Sequence, residues 1–234
     1  MPTEYPEDSV QAFVDNWWTK ATTNEVSRGR LIRALALYPD QKPYRILPEG
    51  RGEDVADHSR AKLKVEPFAF DRPPRGEGLP VAGLPLHPGE SFLGSRGKIR
   101  PCVILSSGGT PVEKHLRRGG AGWQSAGTLL VAPFYGADAD GSRGGWNPEF
   151  VKRIRRAEYP QYMWDQLPLS GSTESILRFD HVFPIGQDPA SYRVTDFVLS
   201  SQALRLIDDW LDWLFEGMVE SGSDLAYLAT NLRE

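Results

Sequence analysis

The stretch Gly89-Glu-Ser-Phe-Leu-Gly-Ser-Arg-Gly-Lys-Ile-Arg-Pro-Cys-Val-Ile-Leu-Ser106 decides how the rest of the chain is read. A short apolar piece enters a loop of Gly, Ser and basic residues, and Cys102 to Leu105 leave it as a continuous apolar strand. Pro101 has a fixed φ and no N–H to donate, so it is expected at the first residue of that strand and not inside it. Gly94 and Gly97 let the loop turn tightly and bring its backbone near a ligand. Arg96, Lys98 and Arg100 then stand at the mouth of a strand, where cations can meet a phosphate. The same residue types also suit a solvated hairpin loop.

Composition sets the frame for that loop. A chain of 234 residues with 40% hydrophobic and 25% charged residues is ordinary for a globular protein with a substantial core. No run of about 18 apolar residues exists, so no membrane partner is expected, and the acidic start lacks the apolar centre of a signal peptide. A cytoplasmic location follows as the default. The single cysteine, Cys102, forbids an internal disulfide and reads as an inert buried thiol. The net charge of −4 hides an asymmetry. Residues 94–156 carry 11 basic and 4 acidic side chains, a net of +7, whereas residues 157–234 carry 4 basic and 13 acidic, a net of −9. The middle third therefore has the footprint of a polyanion site.

Upstream of the loop, Asp8 with Gln11 resembles a capping box, and Val10, Phe13, Val14, Trp17 and Trp18 follow helical spacing over 8–19. Thr22 with Glu25 resembles a second box, opening a helix to about Leu37. Residues 1–40 are thus expected to form an N-terminal helical hairpin. Residues 41–60 read as a linker, and Ala61 to Phe70 as a half-buried strand in which Pro67 marks an edge or bulge.

Downstream, residues 106–127 form a long Gly-rich loop carrying Lys114, His115, Arg117 and Arg118. Thr128 to Pro133 is a buried strand, and a second polar loop follows with Arg143 and Trp146. Residues 150–160 bring cations at 152, 153, 155 and 156. Glu174 to Phe183 reads as one strand, with Leu177, Phe179, His181 and Phe183 on one face and Arg178 and Asp180 on the other. Tyr192 to Leu199 adds a short strand. Ser200 or Ser201 then caps an amphipathic helix with a stripe of Leu204, Ile207, Leu211, Leu214, Phe215 and Met218. The fold class expected is mainly β with flanking helices: a partly open β-barrel over 61–220 with a C-terminal amphipathic helix, and a tail over 221–234.

The four histidines are scattered without ligand spacing, so neither a metal nor another cofactor is expected. No phosphate-loop, dinucleotide or nucleophile-elbow motif occurs. His181 on an apolar strand face suits a structural histidine better than a base. What remains is a basic surface interleaved with Trp123, Phe134, Tyr135, Trp146, Phe150, Tyr159, Tyr162 and Trp164. Cations grip phosphates and aromatic faces stack unpaired bases, a combination suited to single-stranded nucleic acid. Arg96, Lys98, Lys114, Arg117, Arg118, Tyr135 and Trp146 are the candidate RNA-binding residues.

Gly97-Lys-Ile-Arg-Pro-Cys-Val-Ile-Leu-Ser106 resembles the first strands of the PemK/MazF family of toxin endoribonucleases. Thr128–Tyr135 looks like the second family strand, and Glu174-Ser-Ile-Leu-Arg-Phe-Asp-His-Val-Phe-Pro-Ile185 is similar to the strand that begins Asp-Ser. Leu199-Ser-Ser-Gln-Ala-Leu-Arg-Leu-Ile-Asp-Asp-Trp-Leu211 resembles the closing helix, so the resemblance spans roughly residues 86–217. It implies an SH3-like barrel, usually a homodimer with an antitoxin protein as partner, that cleaves single-stranded RNA without a metal. The catalytic arginine of the family falls on Arg100 and its hydroxyl partner on Phe134, which has no hydroxyl. That departure keeps a second reading open: a non-catalytic SH3-like module that binds nucleic acid or a partner protein.

Overall fold

The structure is a computed structural model that describes residues 4–54, 57, 60–70, 90–117, 119, 122, 125–139, 144–170 and 174–233. Two compact units divide the chain: Leu37–Lys98, and Met1–Ala36 together with Ile99–Glu234. Among the described residues the chain is mainly β, with eleven strands and three α-helices.

The smaller unit is a three-stranded antiparallel sheet of β3 (Tyr44–Arg51), β4 (Ala61–Pro67) and β5 (Phe92–Gly94), in the order β4-β3-β5. Pro67 sits at the end of an edge strand, where its missing N–H costs nothing, as its sequence context predicts. The linker expected over 41–60 is instead largely β3. Pro48, which made that segment look like a loop, is accommodated by a bulge between Pro48 and Gly50 in the pairing with β4. Among the described aliphatic and aromatic side chains of this unit only Pro48 is buried; Val65 is 61% exposed and Leu93 51%.

The larger unit is built on an eight-stranded sheet that curls part-way towards a barrel. Its strands are β1 (Trp18–Lys20), β2 (Arg30–Leu37), β6 (Gly97–Ser106), β7 (Thr128–Gly136), β8 (Tyr162–Gln166), β9 (Glu174–Arg178), β10 (Phe183–Gly186) and β11 (Tyr192–Leu199). The order is β1-β11-β2-β6-β7-β9-β8, with β10 also on β7. The helices are α1 (Pro148–Arg155), α2 (Ser201–Glu216) and α3 (Asp224–Asn231).

The N-terminal helical hairpin is not formed. Residues 8–19 give a single 3₁₀ turn, Val10–Phe13, followed by the edge strand β1, and the second expected helix is β2. Ala and Leu favour a helix locally, but sheet burial overrides so weak a preference. In β2 the side chains of Ile32, Ala34 and Ala36 are buried while Arg33, Leu35 and Leu37 are exposed, a period of two. The presumed capping residues have tertiary partners instead. Gln11 donates to the Trp164 carbonyl and Asp8 pairs with Arg155 at 2.9 Å.

Three further expectations are corrected. Pro101 lies inside β6, which begins at Gly97; the observed pairing with β7 starts at Cys102, so Pro101 is spared a ladder bond on that side. The helix α2 is capped by Ser200, as expected, and ends at Gly217 with φ of 79°, a left-handed value that suits glycine. Its expected stripe holds in part: Ile207 is buried and Leu204, Leu211 and Leu214 pack against the main core, but Ala203, Leu206 and Trp210 are buried as well, and Phe215 and Met218 stand 77% and 71% exposed. The tail forms α3, whose Leu225 and Leu228 join the main core beside α2.

That core holds Leu31, Val103, Ala132, Phe134, Leu177, Phe179, Leu206 and Trp210. A second cluster on the sheet's opposite face holds Ile32, Cys102, Ile104, Leu129 and Val131. The edge strands β1 and β8 meet across a buried carboxylate. Asp165 of β8 is 0% exposed and accepts hydrogen bonds from Trp18 Nε1 at 2.9 Å, Trp17 Nε1 at 3.3 Å and Tyr5 Oη at 3.2 Å. Burial pushes its pKa up to about 7, with the three donors opposing that rise.

Candidate functional site

Strand parity puts Arg100 and Tyr135 on one face. Ala132 and Phe134 point into the main core, so Leu129, Val131 and Tyr135 share the other face of β7. On β6, Val103 and Leu105 take the main core, and Cys102 and Ile104 take the face that Arg100 continues. The Arg100 guanidinium consequently lies over the Tyr135 ring at 4.1 Å from its centroid.

A break in the strand opposite supplies the rest. The sequence suggests one continuous strand over Glu174–Phe183, but β9 ends at Arg178 and a 3₁₀ turn, Phe179–His181, precedes β10. Phe134 pairs with Leu177 and Val131 pairs with Phe183, so only Ala132 and Pro133 of β7 face the five residues from Arg178 to Val182. Pro133 has no N–H to give, and the ladder opens beside it. The surplus residues project Asp180 and His181 towards Tyr135.

The contacts there are specific. Arg178 makes a two-pronged bond to Asp180, Nε to Oδ1 at 2.7 Å and Nη2 to Oδ2 at 2.6 Å. The same Nη2 lies 2.7 Å from His181 Nε2, and His181 Nδ1 lies 2.8 Å from the Tyr135 hydroxyl. A guanidinium only donates, so Nε2 must accept; the neutral ring then carries its proton on Nδ1 and donates it to Tyr135 Oη. The Tyr135 hydroxyl is thereby left with its own proton to give.

Charge follows from this geometry. Burial raises the Tyr135 pKa, with Arg100 and Arg178 opposing, and the phenol stays protonated at neutral pH. Burial also acts to raise the Asp180 pKa, but the Arg178 bond and charge outweigh it and hold the carboxyl below its usual range. Cys102 behind the site is buried and pushed up to about 12 by desolvation, an inert thiol in keeping with its sequence context.

The arrangement continues along the sheet. Arg178 also lies 4.8 Å from the ring centre of Tyr162, its partner across β8 and β9. Tyr162 meets the edge of Trp146 at 5.8 Å, and Trp146 stacks on Phe150 at 5.7 Å with an interplanar angle of 10°. Among the described residues no group of three or more His, Cys, Asp and Glu side chains gathers as a metal site. Nor is any helix described there long and apolar enough to cross a membrane.

No family model and no curated protein matches this chain.

Of the residues singled out from sequence, Arg100 and Tyr135 touch, and Trp146 joins them through Tyr162 and Arg178. Arg96 lies in the smaller unit over the ring of Tyr38 at 5.8 Å, and Lys98 is an exposed residue of the same unit. Lys114 and Arg117 form an exposed 3₁₀ turn, with Arg117 Nε donating to the Val112 carbonyl at 2.5 Å. Arg118, Trp123 and Arg143 fall outside the described residues. Sequence reading missed His181 as a working partner, together with Arg178 and Asp180, because an unbroken strand would set them on opposite faces. It also missed α1, although Asn147-Pro-Glu is a readable start signal: Asn147 caps the N–H groups of Glu149 and Phe150, and Pro148 occupies the first turn.

Proposed function

We propose that this protein is a metal-independent endoribonuclease of the PemK/MazF toxin type, cleaving single-stranded RNA at Arg100. The observation that carries the reading is the contact chain Arg100–Tyr135–His181–Arg178. It sets two cations and one proton-donating hydroxyl on a single half-buried face, of which Arg100 and Tyr135 come from the net-positive segment 94–156.

On this reading the RNA 2′-oxygen attacks the adjacent phosphorus and the P–O5′ bond breaks, leaving a 2′,3′-cyclic phosphate and a 5′-hydroxyl. Arg100 and Arg178 Nη1, which lies outside the bonds to Asp180 and His181, hold the charge on the pentavalent phosphate. The 2′-hydroxyl loses its proton to water. Tyr135 Oη gives a proton to O5′ and recovers one from water. His181 is a positioning residue that fixes the phenol by donating to it. Tyr135 thus supplies the hydroxyl absent at Phe134, which is 2% exposed in the core and points the other way. The reading carries a homodimer as the working form and an antitoxin protein as the partner that masks the basic face.

Incubation of the purified chain with single-stranded RNA in EDTA should give fragments ending in 2′,3′-cyclic phosphate. Arg100→Ala should lower the rate about 10²–10³-fold with the unfolding midpoint unchanged. Intact RNA after long incubation with wild type, with and without divalent metal, overturns the enzymatic reading. Salt-sensitive binding without turnover would instead establish the non-catalytic module, the reading favoured by Phe134 lying in the core.

A further inference from the structure

We infer that Trp146, Phe150, Tyr159 and Tyr162 form a base-stacking subsite for a nucleotide next to the phosphate held by Arg100 and Arg178. The inference rests on the proposed nucleic-acid function, and it adds to it a second contact point.

These four rings are in continuous contact. Phe150 meets Tyr159 at 5.2 Å and Tyr162 at 5.5 Å, and Tyr159 meets Tyr162 at 6.1 Å, all edge to face. All four are half-buried, packed on a small cluster of Val151, Ile154, Trp164 and Ile176, so they keep surface to offer. Trp146 is pinned by Phe150 on one face and Tyr162 at its edge, which presets its orientation and lowers the cost of stacking a ligand ring.

Cations border the rings on both sides. Arg178 covers Tyr162, and Arg153 of α1 lies 5.0 Å from the centre of Tyr159. The helix α1 adds Lys152, and Arg156 follows at its C-cap, whereas Arg153 also bonds Glu158 and Arg155 is engaged by Asp8 and Glu174. Rings interleaved with cations are what a stacked base and its neighbouring phosphates require. Continuity decides the occupant. Arg178 touches both Tyr162 of the cluster and His181 of the phosphate face, so one strand can lay a phosphate on Arg100 and its adjoining base on Trp146.

Stacking does not read the 2′-hydroxyl, whereas cleavage requires it, and this separates the two claims. The test uses the full chain and fluorescence anisotropy with a labelled single-stranded DNA hexamer of mixed sequence, which binds but cannot be cut by 2′-attack. Wild type should bind the DNA in a salt-dependent manner. Replacing one nucleoside by an abasic unit should weaken binding about tenfold at one position of the hexamer, and Trp146→Ala should cause a similar loss and make that abasic change silent. Should Trp146→Ala unfold, Lys152→Ala on the helix surface should lower the slope of log affinity against log salt by about one. Affinity for the hexamer unaffected by Trp146→Ala in a folded protein overturns the subsite, even if RNA is cut. Unaltered salt slope in Lys152→Ala also overturns it. Base-dependent DNA binding with RNA left intact keeps the subsite and removes the ribonuclease.

Discussion

Two polar clusters in the larger unit use similar side chains and do opposite things. Around Asp165, two indole N–H groups and one phenol converge on a carboxylate with no solvent access, and the result ties the edge strands β1 and β8 together. Around Tyr135, a phenol, an imidazole, a carboxylate and two guanidiniums meet on a half-buried face. The first cluster satisfies its donors internally and faces nothing. The second keeps its guanidiniums and the Tyr135 hydroxyl on a face that is only half-buried. Exposure, more than residue type, separates a polar cluster that only ties strands together from one that a ligand can reach.

That contrast can be broken in several places. The largest effect is expected at Asp165. Its folded pKa of about 7 lies above the unfolded carboxylate value, so the folded state binds the extra proton between about pH 4 and about pH 7. Its stabilisation is therefore complete at low pH and is lost as pH rises through about 7. The lost contribution is of order 4 kcal/mol, from about three pKa units at about 1.36 kcal/mol each. Urea unfolding of wild type against Asp165→Asn across that range should show the difference between them shrinking or reversing towards neutral pH. A constant difference would mean that the carboxyl stays ionised throughout.

Phe134→Ala and Tyr135→Phe, one residue apart, sharpen the comparison. Phe134→Ala removes a ring from the main core and should cost about 3–5 kcal/mol by chemical denaturation. Tyr135→Phe keeps the ring under Arg100 and removes only the hydroxyl; RNA cleavage should fall by about 10²-fold or more with near-native stability. Equal stability losses from the two would place Tyr135 in a structural role. The smallest effect is expected at the Arg28–Asp208 ion pair, whose side chains are 40% and 47% exposed. Arg28→Ala should shift stability by less than about 1 kcal/mol and leave cleavage unchanged.

Much of this was legible residue by residue. The strands β7 and β11, the edge position of Pro67, the buried Cys102 and the Ser200 cap of α2 all follow from apolar runs, turn residues and capping chemistry. Legibility failed where local preference and tertiary demand disagree. Arg30–Leu37 has helix-forming residues and lies between β11 and β6 in the sheet, where pairing with both neighbours outweighs a preference of a few tenths of a kcal/mol per residue. The stripe expected on α2 was met by Leu204, Ile207, Leu211 and Leu214 but not by Phe215 and Met218, because Trp210, stacked on Phe179 at 6.3 Å, turns the buried face towards its own side.

The sequence by itself determined the mainly β class, the basic middle third, the aromatic interleaving and Arg100 as the cation leading into a buried strand. Only the tertiary structure decided what stands beside Arg100. A phenol one residue past the buried Phe134 and a histidine 46 positions further along meet because the strand opposite β7 breaks at Arg178. A single sequence does not record a break of that kind, since it depends on the register of two strands far apart in the chain.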